Sequence, residues 1–307
     1  MVTIFLILFF TIVFSFFLSF SQYLIFDSMS FYLILLVLLL GLYSQSFFFT
    51  FLSREVRGFL FLSLFFSIMC FCVNHAIIFW CFYELSMLPL LYLIFKESPY
   101  SERFLAGWYF ACYLLVTSLP LILFLLYLSM VPLVPFHTWL PIVHAEATSI
   151  VSIFLSGYIM KLGLLGVYRC SYFIFDSCLF TYLFVCFVIS IFFFITAARE
   201  LDAFLSLAHI TVPFLAFFIR DCGGINYSFF YCLGHGLRAG IVFGLFRNWL
   251  LLKSSINCKS GIFLVVLSLL RLCSFPPTIQ FFCEILLFIY YSGNGVKGIA
   301  AINLIIL

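Results

Sequence analysis

The chain has 307 residues, of which 66% are hydrophobic and only 8% are charged, and its formal net charge is +3. Because soluble domains average about 25% charged residues, this composition excludes an ordinary soluble protein and indicates a polytopic membrane protein. The small positive charge is spread over short loops, which argues against a basic surface for nucleic acid or lipid headgroups. The apolar runs are continuous rather than alternating, so they favour helices over a β-barrel.

Apolar segments follow one another along the whole chain. Since one membrane span takes about 20 residues, we predict an all-α polytopic bundle of roughly 11–12 transmembrane helices in a single domain, 1–307. The 12 cysteines lie mostly within these segments and are interpreted as packing residues. The predicted segments are 2–26, 29–52, 58–73, 76–95, 104–128, 149–168, 177–197, 203–219, 226–246, 261–274, 278–291 and a partial one at 295–307.

The N-terminal stretch, MVTIFLILFFTIVF, is apolar from its beginning. It lacks the basic region and cleavage site of a signal peptide, and the Arg- and Ser-rich pattern of a transit peptide. We therefore interpret it as a first membrane span. The 47 phenylalanines are typical of a very T-rich coding sequence, as many organelle genomes have, and favour an organelle-encoded protein.

The segment 129–149 is the most irregular. Its prolines at 132, 135 and 141 exclude a regular spanning helix and indicate an interfacial or partly re-entrant element. His137, His144 and Glu146 resemble a metal or catalytic cluster. We interpret them as residues that fix this loop, since a zinc site would need a further ligand at suitable geometry.

Loop charges predict the topology. The loops 53–57 and 96–103 each carry two basic residues, so the positive-inside rule places both on one side, the matrix or cytoplasm. The later basic loop 247–260 falls on that side only if residues 104–148 cross the membrane twice. We therefore expect a second crossing within 104–148, although a single crossing remains the alternative because the stretch is short.

Four ionisable residues interrupt the apolar segments: Glu84, Lys161, His235 and Glu284. A charge near the bilayer centre costs about 2.5–3.5 kcal/mol on insertion scales, so such residues are functional candidates by default. Together they suggest a path for protons or cations. In this hypothesis Glu84 and Lys161 form an ion pair, His235 relays, and Glu284 ends the line beyond a helix broken at Pro276-Pro277.

Structural roles are the competing interpretation of each candidate. Glu84 could cap a polar contact between helices, Lys161 could extend its amine to the membrane surface, and His235 or Glu284 could be structural. His75 and His209 are read as ordinary interface or core residues. Two arginines near the candidates, Arg238 and Arg271, either contact waters on the axis or extend to the surface.

Several blocks resemble a known family: FYELSMLPLLYLI, ERFLAGWYF, HTWLPIVHAEAT, MKLGLLGVYR, LGHGL and FPPTIQFFCE. They are similar to the subunit 4 branch of the antiporter-like, proton-pumping membrane subunits of mitochondrial NADH dehydrogenase, respiratory complex I. The resemblance runs in order from about residue 27 to 292. The pattern H-x-W-L-P-x-x-H-x-E-A at 137–147 is its most specific part, and the sister subunits 2 and 5 differ there.

The resemblance implies a role for each candidate. Glu84 corresponds to the acid of a Glu–Lys pair, Lys161 to the lysine of the central hydrophilic axis, His235 to its relay histidine, and Glu284 to the exit-side acid. It implies inverted repeats at about 58–168 and 177–307, the second shortened at its C-terminal end, and a place in the mitochondrial inner membrane. The chain itself would bind no cofactor. NADH, FMN, iron–sulfur clusters and ubiquinone would belong to partner subunits, with subunits 2 and 5, accessory subunits and lipids as neighbours.

The chain also departs from the family pattern. Met130 stands where the family has the lysine that pairs with the acid at Glu84, and the long loop and much of the helix before it are absent. The family's first helix and about one at the end are absent as well. Two alternatives therefore stay open: a subunit of a stand-alone cation/proton antiporter, and a structural membrane-arm subunit that does not pump.

Overall fold

The computed structural model of the chain describes residues 23–47, 52–97, 102–118, 142–144, 147–171, 209–210, 212–213, 222–251, 281–283, 285–286 and 289. Within these ranges four helices are long and apolar enough to cross a membrane: Ser28–Ser46, Arg54–Cys72, Ala76–Lys96 and Ser149–Arg169. The predicted class of helical membrane protein is thus confirmed. The predicted break at 276–277 and most of the segment 129–149 lie outside the described residues.

The helices follow the predicted order. Helix α1 covers Ser28–Phe47, α2 Arg54–Cys72, α3 Ala76–Glu97 and α4 Arg103–Ser118. Next come α5 at Ser149–Phe154, a π-helical turn at Leu155–Ile159 and α6 at Met160–Ser171, which together form one rod, and then α7 at Cys222–Leu251.

Helix α2 begins four residues before its predicted apolar segment. Ser53 caps it, because the Ser53 Oγ accepts a hydrogen bond from the Val56 amide at 3.4 Å. Such a bond satisfies one of the amide donors that a helix N-terminus leaves unpaired. The apolar segment alone does not predict this start, because the capping serine and the charged residues of the first turn are polar.

One end of the bundle, here called the Asp27 face, is held by Arg169. Its Nη1 donates to the backbone carbonyl oxygens of Phe71 at 2.9 Å and Val73 at 2.7 Å. Its Nη2 lies 3.5 Å from Oδ2 of Asp27. Because Phe71 and Val73 end α2 and Asp27 precedes α1, one side chain of α6 joins three segments at this face.

The opposite end, the Lys96 face, is marked by an ion pair between Lys96 and Glu55. Helix α4 begins beside it, with the rings of Phe95 and Phe104 5.8 Å apart. The α5–α6 rod reaches the Asp27 face at Arg169 and therefore also begins toward the Lys96 face. Helix α4 and the rod therefore begin on the same side. The second crossing expected within 104–148 stays a prediction, because most of 119–148 lies outside the described residues.

Helix α7 runs parallel to α1. At the Asp27 face the Ser28 Oγ donates to the Asn226 Oδ1 at 2.7 Å, and from there α7 carries Arg247 toward the Lys96 face. That direction agrees with the positive-inside rule, which places the basic loops on one side.

A ladder of three glycines on α7 lets α1 and the rod approach closely: Gly236, Gly240 and Gly244. A Cβ at Gly236 would lie 2.7 Å from Leu36 Cδ1 and 3.0 Å from the carbonyl oxygen of Gly157. A Cβ at Gly240 would lie 2.7 Å from Leu40 Cδ2. Small residues at a spacing of four are typical of tightly packed membrane helices.

The rod is the centre of the described bundle. Every residue from 150 to 167 is buried, whichever side of the helix it lies on. A helix that is buried all round belongs to the interior of a bundle rather than to its lipid surface. Any polar group on this rod is therefore kept away from lipid by neighbouring helices.

Candidate functional site

Lys161 lies near the middle of the buried rod. Its side chain has no solvent exposure, and its Nζ donates a hydrogen bond to the backbone carbonyl of Ser156 in the same rod. The side chain therefore does not extend to the membrane surface. This excludes the interpretation in which Lys161 places its amine there. With the described residues it forms no ion pair. The helix thus carries a buried ammonium group whose partner is a backbone oxygen.

The acceptor of this hydrogen bond belongs to the π-helical turn. Within the turn the Ser156 Oγ donates to the carbonyl oxygen of Ser152 at 2.8 Å, and hydroxyl groups that bond back to the preceding turn loosen an α-helix. Gly157, also in the turn, has no Cβ and so admits Leu40 and Gly236 at close range. Single π-helical turns occur frequently at functional sites. The turn and Lys161 form one structural unit.

Two histidines lie next to each other on the α7 side. The rings of His235 and His209 are 5.1 Å apart at an angle of 41°. His235 is 4% exposed. Neither of its ring nitrogens has a hydrogen-bond partner among the residues that the structure describes. An imidazole buried in this way retains two nitrogens for proton exchange.

His209 is held from both sides. Its Nδ1 lies 2.5 Å from the hydroxyl oxygen of Tyr231, and its Nε2 lies 3.1 Å from Nη2 of Arg238. Arg238 itself is buried. Its side chain therefore lies inside the bundle and does not extend to the membrane surface. His209 was expected to be an ordinary core residue, whereas the structure places it in a polar group with His235.

Lys161 interacts electrostatically with several buried side chains. Its charge acts on the imidazoles of His144, His209 and His235 and on the thiol of Cys232. The lysine lies on the rod. Of these four groups, those of His209, His235 and Cys232 belong to other spans. We call Lys161, His209, His235 and Arg238 the central polar group.

Glu84 lies on α3 and is half-buried, with its Oε1 shielded from solvent. It does not form the predicted ion pair with Lys161, whose ammonium donates to Ser156 instead. Pro89, five residues further along, lies inside the same helix. A proline removes one hydrogen bond of the helical ladder, which loosens α3 near the acid.

Hydroxyl groups connect the helix of Glu84 with the π-helical turn. The Ser63 Oγ donates to the carbonyl oxygen of Ser86 at 2.7 Å and lies 2.5 Å from the Tyr158 hydroxyl. Because a serine has one hydroxyl proton, Tyr158 is the donor in the second bond. A buried polar connection therefore runs from Tyr158 near Lys161 to Ser86 near Glu84.

The structure thus brings Lys161 and His235 into one group, and places Glu84 on a neighbouring helix. Glu284, Met130, His137 and Glu146 lie outside the described residues. His144 is described, and it lies near Lys161 rather than only in a surface loop. The contribution of His209 was missed, since only its contacts distinguish it from an ordinary core residue. The sequence did contain one overlooked signal, the spacing of glycines at 236, 240 and 244.

Comparisons with known proteins agree with this fold. The family described as NADH:quinone oxidoreductase/Mrp antiporter, transmembrane, matches residues 121–305 of the chain. NADH-ubiquinone oxidoreductase chain 4 of Rhipicephalus sanguineus is 26% identical over 267 residues, which cover 71% of this chain and 61% of that relative. The chain therefore spans less than two thirds of that relative's length.

Solved structures show the same architecture. A chain of the Mrp complex from Dietzia sp. matches with a TM-score of 0.76 and 17% identity, covering 92% of this chain and 64% of its own. A chain of respiratory complex I from Thermus thermophilus matches with a TM-score of 0.73 and 18% identity, covering 95% of this chain and 77% of its own. These matches confirm the antiporter-like fold, and the relative confirms the predicted resemblance to subunit 4. The chain belongs to the NADH:quinone oxidoreductase/Mrp antiporter transmembrane family.

Proposed function

We propose that this chain is a proton-translocating membrane-arm subunit of respiratory complex I in the mitochondrial inner membrane. Electron transfer from NADH to ubiquinone in partner subunits would drive proton transport through it. Lys161 is the observation that carries this proposal, because an ammonium group without exposure lies at the centre of the bundle. A lysine that only stabilised the fold would be an unfavourable choice there, since an apolar residue avoids the cost of burying a charge.

Proton transfer in this proposal centres on Lys161. A lysine can lose its proton inside a protein, whereas an arginine stays charged. As an ammonium, Lys161 is held by the Ser156 carbonyl. When it releases its proton, the positive charge near His209 and His235 disappears, and these imidazoles accept a proton more readily. Charge at one position thus controls protonation at the next.

The proposed axis continues on both sides of Lys161. Glu84 would supply protons on the side of α3, and the hydroxyl connection through Ser63 and Tyr158 supports a polar route between that helix and the rod. His235 would pass protons on, and Glu284 would receive them at the exit side. The four residues Glu84, Lys161, His235 and Glu284 are the proposed translocation axis.

Redox chemistry would take place elsewhere in the complex. We assign NADH, FMN, the iron–sulfur clusters and ubiquinone to partner subunits, and we expect the antiporter-like subunits 2 and 5, accessory subunits and lipids as neighbours. The relative named as chain 4 of NADH-ubiquinone oxidoreductase supports this placement.

The direct test replaces Lys161 by Met in the assembled complex and measures protons transported per electron. We expect the Lys161→Met complex to oxidise NADH and to transport fewer protons per electron, because methionine fills the site but carries no proton. Lys96→Met is the matched control, since Lys96 is exposed at the Lys96 face, where it forms an ion pair with Glu55 and lies over the ring of Tyr92. An unchanged ratio in Lys161→Met would contradict the proposal.

A stand-alone cation/proton antiporter is the second candidate, favoured by the match to the Mrp complex. Native gel separation of gently solubilised membranes distinguishes the two. Recovery of the chain in the band with NADH dehydrogenase activity would support complex I. Recovery only in a smaller particle would support the antiporter.

A further inference from the structure

His209, Arg238 and Tyr231 form a buried group whose hydrogen bonds have a defined direction. Arg238 has only donors, so its Nη2 donates to the Nε2 of His209 at 3.1 Å. An Nε2 that accepts carries no proton, and the neutral ring therefore holds its proton on Nδ1. That proton points to the Tyr231 hydroxyl oxygen, 2.5 Å away. The contacts thus select one of the two histidine tautomers.

The selected ring lies beside the rest of the central polar group. His235 stacks against His209 at 5.1 Å between ring centroids. Charged or titratable groups that act on His209 include Arg238, Tyr231 and His235 from α7 and Lys161 from α6. His209 is therefore under the influence of an arginine that cannot lose its proton and of a lysine that can.

We infer that Arg238 is a positioning residue that sets the tautomer of His209 and blocks its Nε2. Transfer through the ring takes one proton at Nε2 and releases one from Nδ1, which leaves the ring neutral in the other tautomer. Because Arg238 occupies Nε2, this step requires the guanidinium to move away. The guanidinium can return only to a ring whose Nε2 carries no proton. The gating part of this inference rests on the proposed function, and the tautomer part does not.

The tautomer is tested on the full chain, labelled with ¹⁵N-histidine and reconstituted in phosphatidylcholine vesicles. Nitrogen chemical shifts distinguish the two tautomers, and the resonances missing from a His209→Asn chain identify His209. We expect the proton on Nδ1 in the unchanged chain. Arg238→Met should lower the ratio of that tautomer to the other roughly tenfold, since a hydrogen bond from a charged donor is lost. Arg238→Lys, which keeps a charged donor, should preserve the ratio.

Tyr231→Phe is the matched control, because it removes the acceptor of the Nδ1 proton and leaves Arg238 in place. We expect this variant to retain the native tautomer. A proton on Nε2 in the unchanged chain would overturn the inference, and so would a native ratio in Arg238→Met. The first of these results does not use Arg238→Met and is therefore independent of whether that variant folds.

Gating is tested in the assembled complex by protons transported per electron. Arg238→Met should lower this ratio while NADH oxidation continues, and Arg238→Lys should restore it. A full ratio in Arg238→Met, together with a reduced ratio in Lys161→Met, would overturn the gating role and leave the proposed function standing. A full ratio in Lys161→Met would contradict the proposed function, whereas the tautomer measurement would still decide the role of Arg238 at His209.

Discussion

Two cations on the same helical rod have very different surroundings. Arg169, at the Asp27 face, donates to two backbone carbonyls at the end of α2 and lies 3.5 Å from the carboxylate of Asp27. Lys161, two turns deeper, has no exposure and donates to one carbonyl of its own rod. Arg169 joins separate segments, and Lys161 joins none through its described hydrogen bond.

This difference indicates which cation serves the fold and which serves function. A guanidinium stays charged and presents several donors in a fixed arrangement, which suits a permanent clamp between segments. An ammonium on a flexible stem with one backbone partner gains little for its burial. The comparison predicts that removing the charge of Arg169 lowers the free energy of unfolding, whereas removing the charge of Lys161 does not.

The largest expected effect on stability is at Arg169. Arg169→Met leaves the carbonyls of Phe71 and Val73 without this donor, and we expect the free energy of unfolding to fall by about 2–3 kcal/mol. Lys161→Met should keep it or raise it, because a buried charge is replaced by an apolar side chain of similar length. Denaturant unfolding of the full chain in detergent measures both. A loss of equal size in the two variants would remove the distinction between clamp and functional cation.

Substitutions in the glycine ladder test the helix packing that encloses Lys161. In Gly236→Ala the new methyl group meets Leu36 and the backbone oxygen of Gly157, and backbone cannot move aside easily. We expect a loss of about 1–3 kcal/mol in the free energy of unfolding. In the control Gly58→Ala the methyl group meets nothing within 4 Å, and a helical Gly-to-Ala change should stabilise α2 by about 0.5–1 kcal/mol. Similar losses at both positions would contradict close packing of α7 on the rod.

The smallest effect is expected where the rod is connected to the helix of Glu84. Tyr158→Phe removes the hydroxyl that donates to Ser63, while Ser63 keeps its bond to Ser86. We expect a loss of about 1 kcal/mol in the free energy of unfolding, the usual contribution of one hydrogen bond. A variant with native stability would show that the bond contributes nothing.

Much of the architecture was predictable because it depends on local pattern. Continuous apolar runs predicted the positions of α1 to α7. Lys161 and His235 were identified because each interrupts an apolar run, where a polar residue has an energetic cost. These predictions can be made without knowing which helices are neighbours.

The partners of these residues were not predictable in the same way. Which group faces Lys161 depends on distances between spans, and the sequence contains two equally reasonable acceptors, the Glu84 carboxylate and a backbone carbonyl. A π-helical turn makes that carbonyl available to the lysine. The amino-acid composition does not indicate where along a helix such a turn occurs. The contact between His209 and Arg238 was not predictable for a related reason, since they are separated by 29 residues along the chain and meet only in the folded bundle.

The central claim is that Lys161 takes up and releases a proton, rather than only supplying a positive charge. Lys161→Arg tests it most directly, because arginine keeps the charge and cannot release its proton. In the assembled complex, protons transported per electron should fall in Lys161→Arg as far as in Lys161→Met. A Lys161→Arg complex with the native ratio would contradict the account, since a permanent charge would then be sufficient.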